Sequence, residues 1–290
     1  MSKTNIAFFG LGTMGIGMVR RLLKSPDLQV TVYNRNAEKA APLAAEGARV
    51  VRTARDAAAG ADVLIAMLAD DAASRGVWLG DEGALAAAKA GAVAIDCSTV
   101  TVPWVRELGG ACAAKGVKFL DAPVTGTKPH AANGELTFLV GGEAAVLERV
   151  RPVLALMSKE IVHLGPVGSG AALKLINNFV CGVQLAALAE AMALMQKEGL
   201  DVKAALPVLT NGAPGSPLSK GMSTRQLTND PTIYFALRLM AKDLTYAIEE
   251  GNHQKMELRT AAAALSEFND AVAAGYGDQD LSAIIKYMAK

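Results

Sequence analysis

The stretch from Gly168 to Gly199 constrains this chain more than any other. It begins Gly-Ser-Gly-Ala-Ala-Leu-Lys-Leu-Ile-Asn-Asn-Phe, stays apolar to Met195 and contains no proline. Helix formers dominate it and small residues open it, so it predicts one long helix. Such a helix is apolar on nearly every face and has to be surrounded by protein. A bilayer span fits poorly, because Lys174, Asn177, Asn178, Gln184 and Glu190 interrupt the run. Lys174 and Asn178 lie one turn apart on one helix face. A cation and an amide side by side on a largely buried helix need partners. On this stretch alone, a lysine snorkelling to solvent beside a structural asparagine is the simpler explanation. The rest of the chain reverses that preference.

The chain has 290 residues, enough for one large domain or two smaller ones, and 51% of them are hydrophobic, so a core can form. Lys plus Arg is 29 against 28 for Asp plus Glu, a balance that argues against a nucleic-acid or polyanion binder. Cys97, Cys112 and Cys181 show no CxxC spacing and read as reduced, packed thiols of a cytoplasmic protein. His130, His163 and His253 are scattered, and no cluster has metal-ligand spacing. The expected first strand starts by residue 5, which leaves no room for a signal peptide.

Residues 5–9 form a short apolar run that ends in Gly10-Leu11-Gly12-Thr13-Met14-Gly15, and a helical pattern follows from Ile16 to Lys24. GxGxxG by itself is weak, but strand, glycine turn and helix together are the context for dinucleotide binding. Gly10 permits the tight turn, Gly12 admits a pyrophosphate, and Gly15 lets the helix pack closely on the strand. Free N–H groups at the helix start then hold the phosphates. A second β-branched strand, Gln29 to Tyr33, ends in Asn34-Arg35-Asn36. An NAD site usually places an acid there, on the ribose 2′-hydroxyl. Asn34 followed by Arg35 suits a 2′-phosphate instead, so NADP(H) is expected over NAD(H), with NAD(H) still possible.

A helix from Ala37 to Glu46, a strand from Val63 to Leu68 and a helix from Ala72 to Leu79 continue the alternation. A strand Val93–Asp96, a helix Val102–Lys115 and a strand Val117–Leu120 follow. This alternation predicts an α/β domain with a parallel, doubly wound sheet, whose ligand sits at the carboxyl ends of the strands. Met67, Leu68 and Thr99 therefore lie on the cofactor side. The segment Thr125-Gly126-Thr127, after Pro123, offers hydroxyls and close N–H groups to a carboxylate. Asn133-Gly134 reads as a hairpin turn into the strand Leu136–Val140, and Ile161–Leu164 closes the sheet. Gly165-Pro166 sets the expected boundary between domains 1–165 and 166–290, and beyond Gly199 only helical patterns appear. They are separated by 211–217, by Asn229-Asp230-Pro231 and by 275–277.

Four separated motifs now agree. Gly10–Gly15, Asp121-Ala-Pro-Val-Thr-Gly126, Gly168-Ser-Gly-Ala-Ala-Leu-Lys174-Leu-Ile-Asn-Asn178 and Lys242-Asp-Leu244 stand in the order seen in the β-hydroxyacid dehydrogenase family. The chain resembles that family, which includes 3-hydroxyisobutyrate dehydrogenase, tartronate semialdehyde reductase and glyoxylate/succinic semialdehyde reductase, along nearly its full length. The resemblance implies an N-terminal Rossmann domain, an all-helical C-terminal domain joined to it by the long helix, and a homodimer or homotetramer. It implies that Lys174 is the catalytic lysine and Asn178 the substrate anchor. It also implies that Thr125 and Gly126 hold the substrate carboxylate and that Lys242 closes near the nicotinamide. The family loop usually carries serine and then glycines. Here Thr125 adds a methyl group, and Thr127-Lys128-Pro129 looks more like the glyoxylate/succinic semialdehyde reductase branch. Two alternatives belong to other classes. One is an imine-reductase-like NADPH enzyme, although those relatives usually replace the lysine. The other is an NADP-binding scaffold without turnover.

Overall fold

The computed structural model describes residues 3–228 and 230–289, and its chain divides into two compact units, 1–174 and 175–290. Asn229, one of the residues expected to separate two helices, lies outside the described residues.

The first unit is built on a mixed sheet. Its elements begin with β1 (Thr4–Phe9), α1 (Gly15–Leu23), β2 (Leu28–Tyr33), α2 (Ala41–Ala45), β3 (Arg49–Val50) and α3 (Ala54–Ala58). They continue with β4 (Val63–Ala66), α4 (Asp71–Trp78), β5 (Val93–Asp96), α5 (Val102–Ala114), β6 (Lys118–Asp121) and β7 (Val124–Thr125). The unit ends with α6 (Lys128–Asn133), β8 (Leu136–Gly142), α7 (Ala144–Ala155), β9 (Ser158–Gly165) and the start of α8 (Ser169–Lys197). The strand order is β3-β2-β1-β4-β5-β6-β8-β7, with β9 on β8. The pairs from β3 to β6 are parallel, as expected of a sheet covered by helices on both faces. β1, β4 and β5 accordingly read as nearly unbroken apolar runs with almost no solvent exposure.

The sheet departs from purely parallel at β8, which runs antiparallel to β6 and β7. The link from β7 to β8 holds only the short α6, and a parallel crossover needs about a dozen residues or more. Asn133-Gly134, expected as a hairpin turn, instead ends α6: Gly134 takes the left-handed C-cap conformation at φ 76°. An Asn-Gly pair serves both geometries, because glycine tolerates positive φ in either. The single helix expected from Ala37 to Glu46 is a short 3-10 turn, Ala37–Lys39, followed by α2. α3, the two-residue β3 and α7 were absent from the sequence reading.

The second unit is helical, as expected: the rest of α8, then α9 (Val202–Asn211), α10 (Pro217–Thr228), α11 (Leu237–His253), α12 (Arg259–Ala271) and α13 (Ala283–Met288). Its core joins Leu185, Ala189 and Met192 of α8 to Leu244 of α11 and Phe268 of α12. α8 is long and apolar enough to cross a membrane, yet these residues make it a core helix. It is less fully surrounded than its composition suggested, because Ile176, Val180 and Leu194 are exposed in the single chain.

Candidate functional site

At the end of β1 the three glycines of the turn serve three different ends. Gly10 sits at φ 95°, and a Cβ there would lie 2.3 Å from the Met67 carbonyl oxygen and 2.8 Å from Leu68 Cδ2. This brings the expected Met67 and Leu68 directly against the turn. A Cβ at Gly15 would lie 2.0 Å from the Gly10 carbonyl oxygen, so α1 approaches the strand as only glycine allows. Gly12 is the reverse case: it is exposed, and a Cβ there would meet nothing within 4 Å. α1 has no side-chain N-cap, and the N–H groups of Gly12, Thr13 and Met14 have no acceptor among the described residues. An open cradle at an uncapped helix start fits the pyrophosphate of a dinucleotide.

Asn34 faces this turn. Its Oδ1 accepts the Leu11 N–H at 2.8 Å, and its Nδ2 donates to the Asn36 carbonyl at 2.7 Å. The side chain thus ties the end of β2 to the glycine loop. Arg35 beside it is exposed and makes no hydrogen bond or ion pair among the described residues.

A buried polar network holds the neighbouring strand ends. Asp96, at the end of β5, accepts from Ser74 Oγ at 2.6 Å, from Trp78 Nε1 at 2.9 Å and from the Ser98 N–H at 2.8 Å. Ser74 Oγ in turn accepts from Trp104 Nε1 at 2.9 Å, and Ser98 Oγ accepts the Leu68 N–H at 2.8 Å. The network fixes the backbone on which Leu68 and the half-buried Thr99 sit. The sequence reading passed over Asp96, although an acid closing an apolar strand is a readable signal of a buried carboxylate with donors.

Asp121 repeats that signal at the end of β6. It is 1% exposed, its Oδ1 accepts the Gly168 N–H and its Oδ2 the Ala171 N–H, both at 2.8 Å. Burial pushes this carboxyl above its usual range, and the N–H donors of Gly168, Ala171 and Gly170 pull partly the other way. The acid therefore anchors the first turn of α8, which carries the half-buried Lys174. Beyond β6, Gly126 sits at φ 132° with Leu136 Cδ2 and His130 Cβ against it. The Thr127 N–H donates to His130 Nδ1 at 3.1 Å, capping α6. Thr125 is half-buried, while Gly126 and Thr127 are exposed. His130 was missed because a histidine three residues after a threonine is an unusual capping partner.

In the second unit, Asn178 of α8 is 6% exposed, and its Nδ2 donates to Asp243 Oδ2 of α11 at 2.5 Å. Its Oδ1 accepts from Asn177 Nδ2 at 2.9 Å. Lys242 Nζ lies 3.0 Å from Asp243 Oδ1 and 4.9 Å from the Tyr246 ring centroid. Asp243, 1% exposed, thus brings Asn178 and Lys242 to one carboxylate. It stands within a motif the sequence reading quoted, but carried no role there.

Residues 5–165 match the family described as the NAD-binding domain of 6-phosphogluconate dehydrogenase. Residues 168–288 match the one described as NAD-binding of NADP-dependent 3-hydroxyisobutyrate dehydrogenase. The chain belongs to the 3-hydroxyisobutyrate dehydrogenase family of β-hydroxyacid dehydrogenases. As a member of it, the chain is an NAD(P)-dependent hydroxyacid dehydrogenase. It is 36% identical to the NAD-dependent L-serine dehydrogenase of Pseudomonas aeruginosa, over 97% of this chain and 96% of that protein. It is 33% identical to the chloroplastic glyoxylate/succinic semialdehyde reductase 2 of Arabidopsis thaliana, over 99% of this chain and 80% of that protein. Among solved family structures, the Mycobacterium tuberculosis 3-hydroxyisobutyrate dehydrogenase with L-serine is similar at TM-score 0.89 and 34% identity, covering 99% of this chain and 100% of that one.

Proposed function

We propose that this dehydrogenase transfers a hydride between NADP(H) and a small β-hydroxyacid or its semialdehyde, with Lys174 as general acid and base. The observation that supports it most is the clasp at Asp121. One buried carboxylate ties the helix turn before Lys174 to the strand that leads into Thr125, Gly126 and Thr127. A substrate carboxylate held by that loop then has an ammonium group on the element anchored next to it.

Bound NADP(H) supplies the hydride chemistry at nicotinamide C4. In reduction, Lys174 donates a proton to the developing alkoxide oxygen; in oxidation, it accepts the hydroxyl proton. Lys174 is half-buried, so its amine is partly withdrawn from bulk water. Asn178 anchors the substrate with the hydrogen-bonding capacity that Asp243 and Asn177 leave to it, since a side-chain amide has more than two such sites. Lys242 closes on the nicotinamide side. Gly10, Leu11, Gly12, Thr13, Met14, Gly15, Met67, Leu68 and Thr99 hold the dinucleotide, Asn34 braces its loop, and Arg35 takes the 2′-phosphate. The functional boundary falls at Gly165-Pro166, and the enzyme works in the cytoplasm. Exposed Ile176, Val180 and Leu194 favour a homo-oligomer that covers them.

Two measurements test this reading. Lys174→Ala is expected to lose about 10² to 10⁴-fold in kcat while NADPH affinity stays the same. Wild-type turnover in that variant removes Lys174 from the mechanism. NADPH or NADP⁺ conversion is then followed with glyoxylate, succinic semialdehyde, tartronate semialdehyde, 3-hydroxyisobutyrate, L-serine and a cyclic imine. An acid or semialdehyde is expected to lead. A leading imine, or binding without any turnover, overturns the assignment.

A further inference from the structure

We propose that Arg52 is a second cation for the 2′-phosphate of the dinucleotide, acting together with Arg35 across the adjacent ends of β2 and β3. The inference rests on the NADP(H) reading above.

Backbone register carries it. β3 runs parallel to β2 with Thr31 opposite Arg49 and Val32 opposite Val50, and the Val51 N–H donates to the Val32 carbonyl at 3.2 Å. Continued in the same register, Asn34 falls opposite Arg52. Neighbouring strands are about 4.8 Å apart, less than the length of an arginine side chain, so an arginine at position 52 is long enough to reach across the end of β2. The backbone at Arg52 is held on both sides. Just past β3, the Val51 N–H is held by the Val32 carbonyl, and Thr53 caps α3 by accepting the Asp56 N–H at 2.9 Å.

The charges point to an anion. Arg35 and Arg52 are both exposed, and neither makes a hydrogen bond or ion pair among the described residues. Arg20, Arg75 and Arg151, by contrast, are each paired with a glutamate. Glu38, the acid nearest to Arg35 in the chain, is exposed and pairs with neither arginine, and Glu46 is already held by Arg20. Two like charges on neighbouring strand ends repel, and a doubly charged phosphate between them relieves the repulsion. A ribose 2′-hydroxyl gains nothing from the second cation, so Arg52 acts on the choice between NADP(H) and NAD(H) rather than on dinucleotide binding in general.

The test is equilibrium titration of the wild type, Arg35→Ala, Arg52→Ala and the double variant with four probes. These are NADPH, NADH, adenosine 2′,5′-bisphosphate and adenosine 5′-phosphate, each at low and high salt. Arg52→Ala is expected to weaken NADPH and the 2′,5′-bisphosphate by about tenfold, the size of a lost charge-assisted contact, and to flatten the salt dependence. NADH and adenosine 5′-phosphate affinities are expected to stay unchanged, which also reports that the fold is intact. Wild-type 2′,5′-bisphosphate affinity in Arg52→Ala, beside a loss in Arg35→Ala, overturns the role of Arg52 and leaves the NADP(H) reading standing. A wild-type enzyme that binds NADH better than NADPH and shows no preference for the 2′,5′-bisphosphate overturns both.

Discussion

Gly12 and Gly15 sit three residues apart, yet substitution at each meets a different obstacle. Gly12→Ala adds a Cβ to space that no protein atom occupies within 4 Å. Thermal stability is expected to stay near wild type while NADPH affinity, measured by titration, collapses if, as proposed, the pyrophosphate approaches the backbone there. Gly15→Ala puts a Cβ 2.0 Å from the Gly10 oxygen, a backbone clash that no rotamer relieves. Overpacking of this kind costs about 1–3 kcal/mol or more, so this variant is expected to melt earlier even without ligand. Asn34 is engaged before any ligand arrives, through Leu11 and Asn36. Asn34→Ala is expected to weaken NADPH and NADH alike by loosening the glycine loop. Asn34→Asp keeps the acceptor for Leu11 but adds a negative charge beside Arg35, and its affinity ratio is expected to move toward NADH. Titration with both dinucleotides separates these outcomes.

At the scale of elements, carboxyl groups decide how helices are anchored. Asp121 caps α8 from β6, and Asp121→Ala leaves the Gly168 and Ala171 N–H groups buried without partners. A cost of about 1–3 kcal/mol for each such group is expected in denaturant unfolding. Farther along the helix, Glu190 faces Glu267 of α12. Burial, then repulsion from Glu190 and Asp270, pushes the Glu267 carboxyl up to about 7. Its Oε2 is buried without a hydrogen-bond partner, which also disfavours the ionised form. The folded chain holds the Glu267 proton to higher pH than the unfolded chain does. The contribution to stability is therefore complete below the unfolded value of 4.5 and is lost as pH rises through about 7. Melting temperatures on both sides of that range are expected to fall more steeply for the wild type than for Glu267→Gln. Equal pH dependence excludes the raised Glu267 carboxyl. α1 and α6 meet by a different device: a Cβ at Gly17 would lie 2.9 Å from the Ala132 backbone nitrogen, so glycine lets α6 lie on α1.

At the scale of the molecule, two units with separate cores share one helix. The glycine turn, Asn34, the carboxylate loop and Lys174 belong to the first; Asn178, Asp243 and Lys242 belong to the second. A dinucleotide that binds the folded state alone stabilises it by mass action, about 2.7 kcal/mol at a hundredfold excess over Kd. Hydrogen exchange is expected to slow first in β1, the glycine turn and the start of α1. Protection confined to α9 and α10 contradicts the assigned cradle.

Local order was legible in the linear chain. The apolar runs ending in glycine or acid, the alternation of strand and helix, the proline-free stretch from Gly168 and the helical remainder each depend on near neighbours, and period and turn chemistry report them directly. The lysine, the loop threonines and the glycine turn stood out as candidates for the same reason: each stands in a short motif. Partners were not. Asp121 meets Gly168 across 47 residues and Asn178 meets Asp243 across 65, and no local pattern encodes such a pairing. The same holds for β3, two exposed residues that are a strand only because β2 offers its edge, and for Asn133-Gly134, where the chain before the pair had already become helix. Composition and spacing determined which elements form and which chemistry they carry. The tertiary structure decided which buried charge holds which helix, because desolvation forces each carboxylate onto whatever donors the fold brings near it.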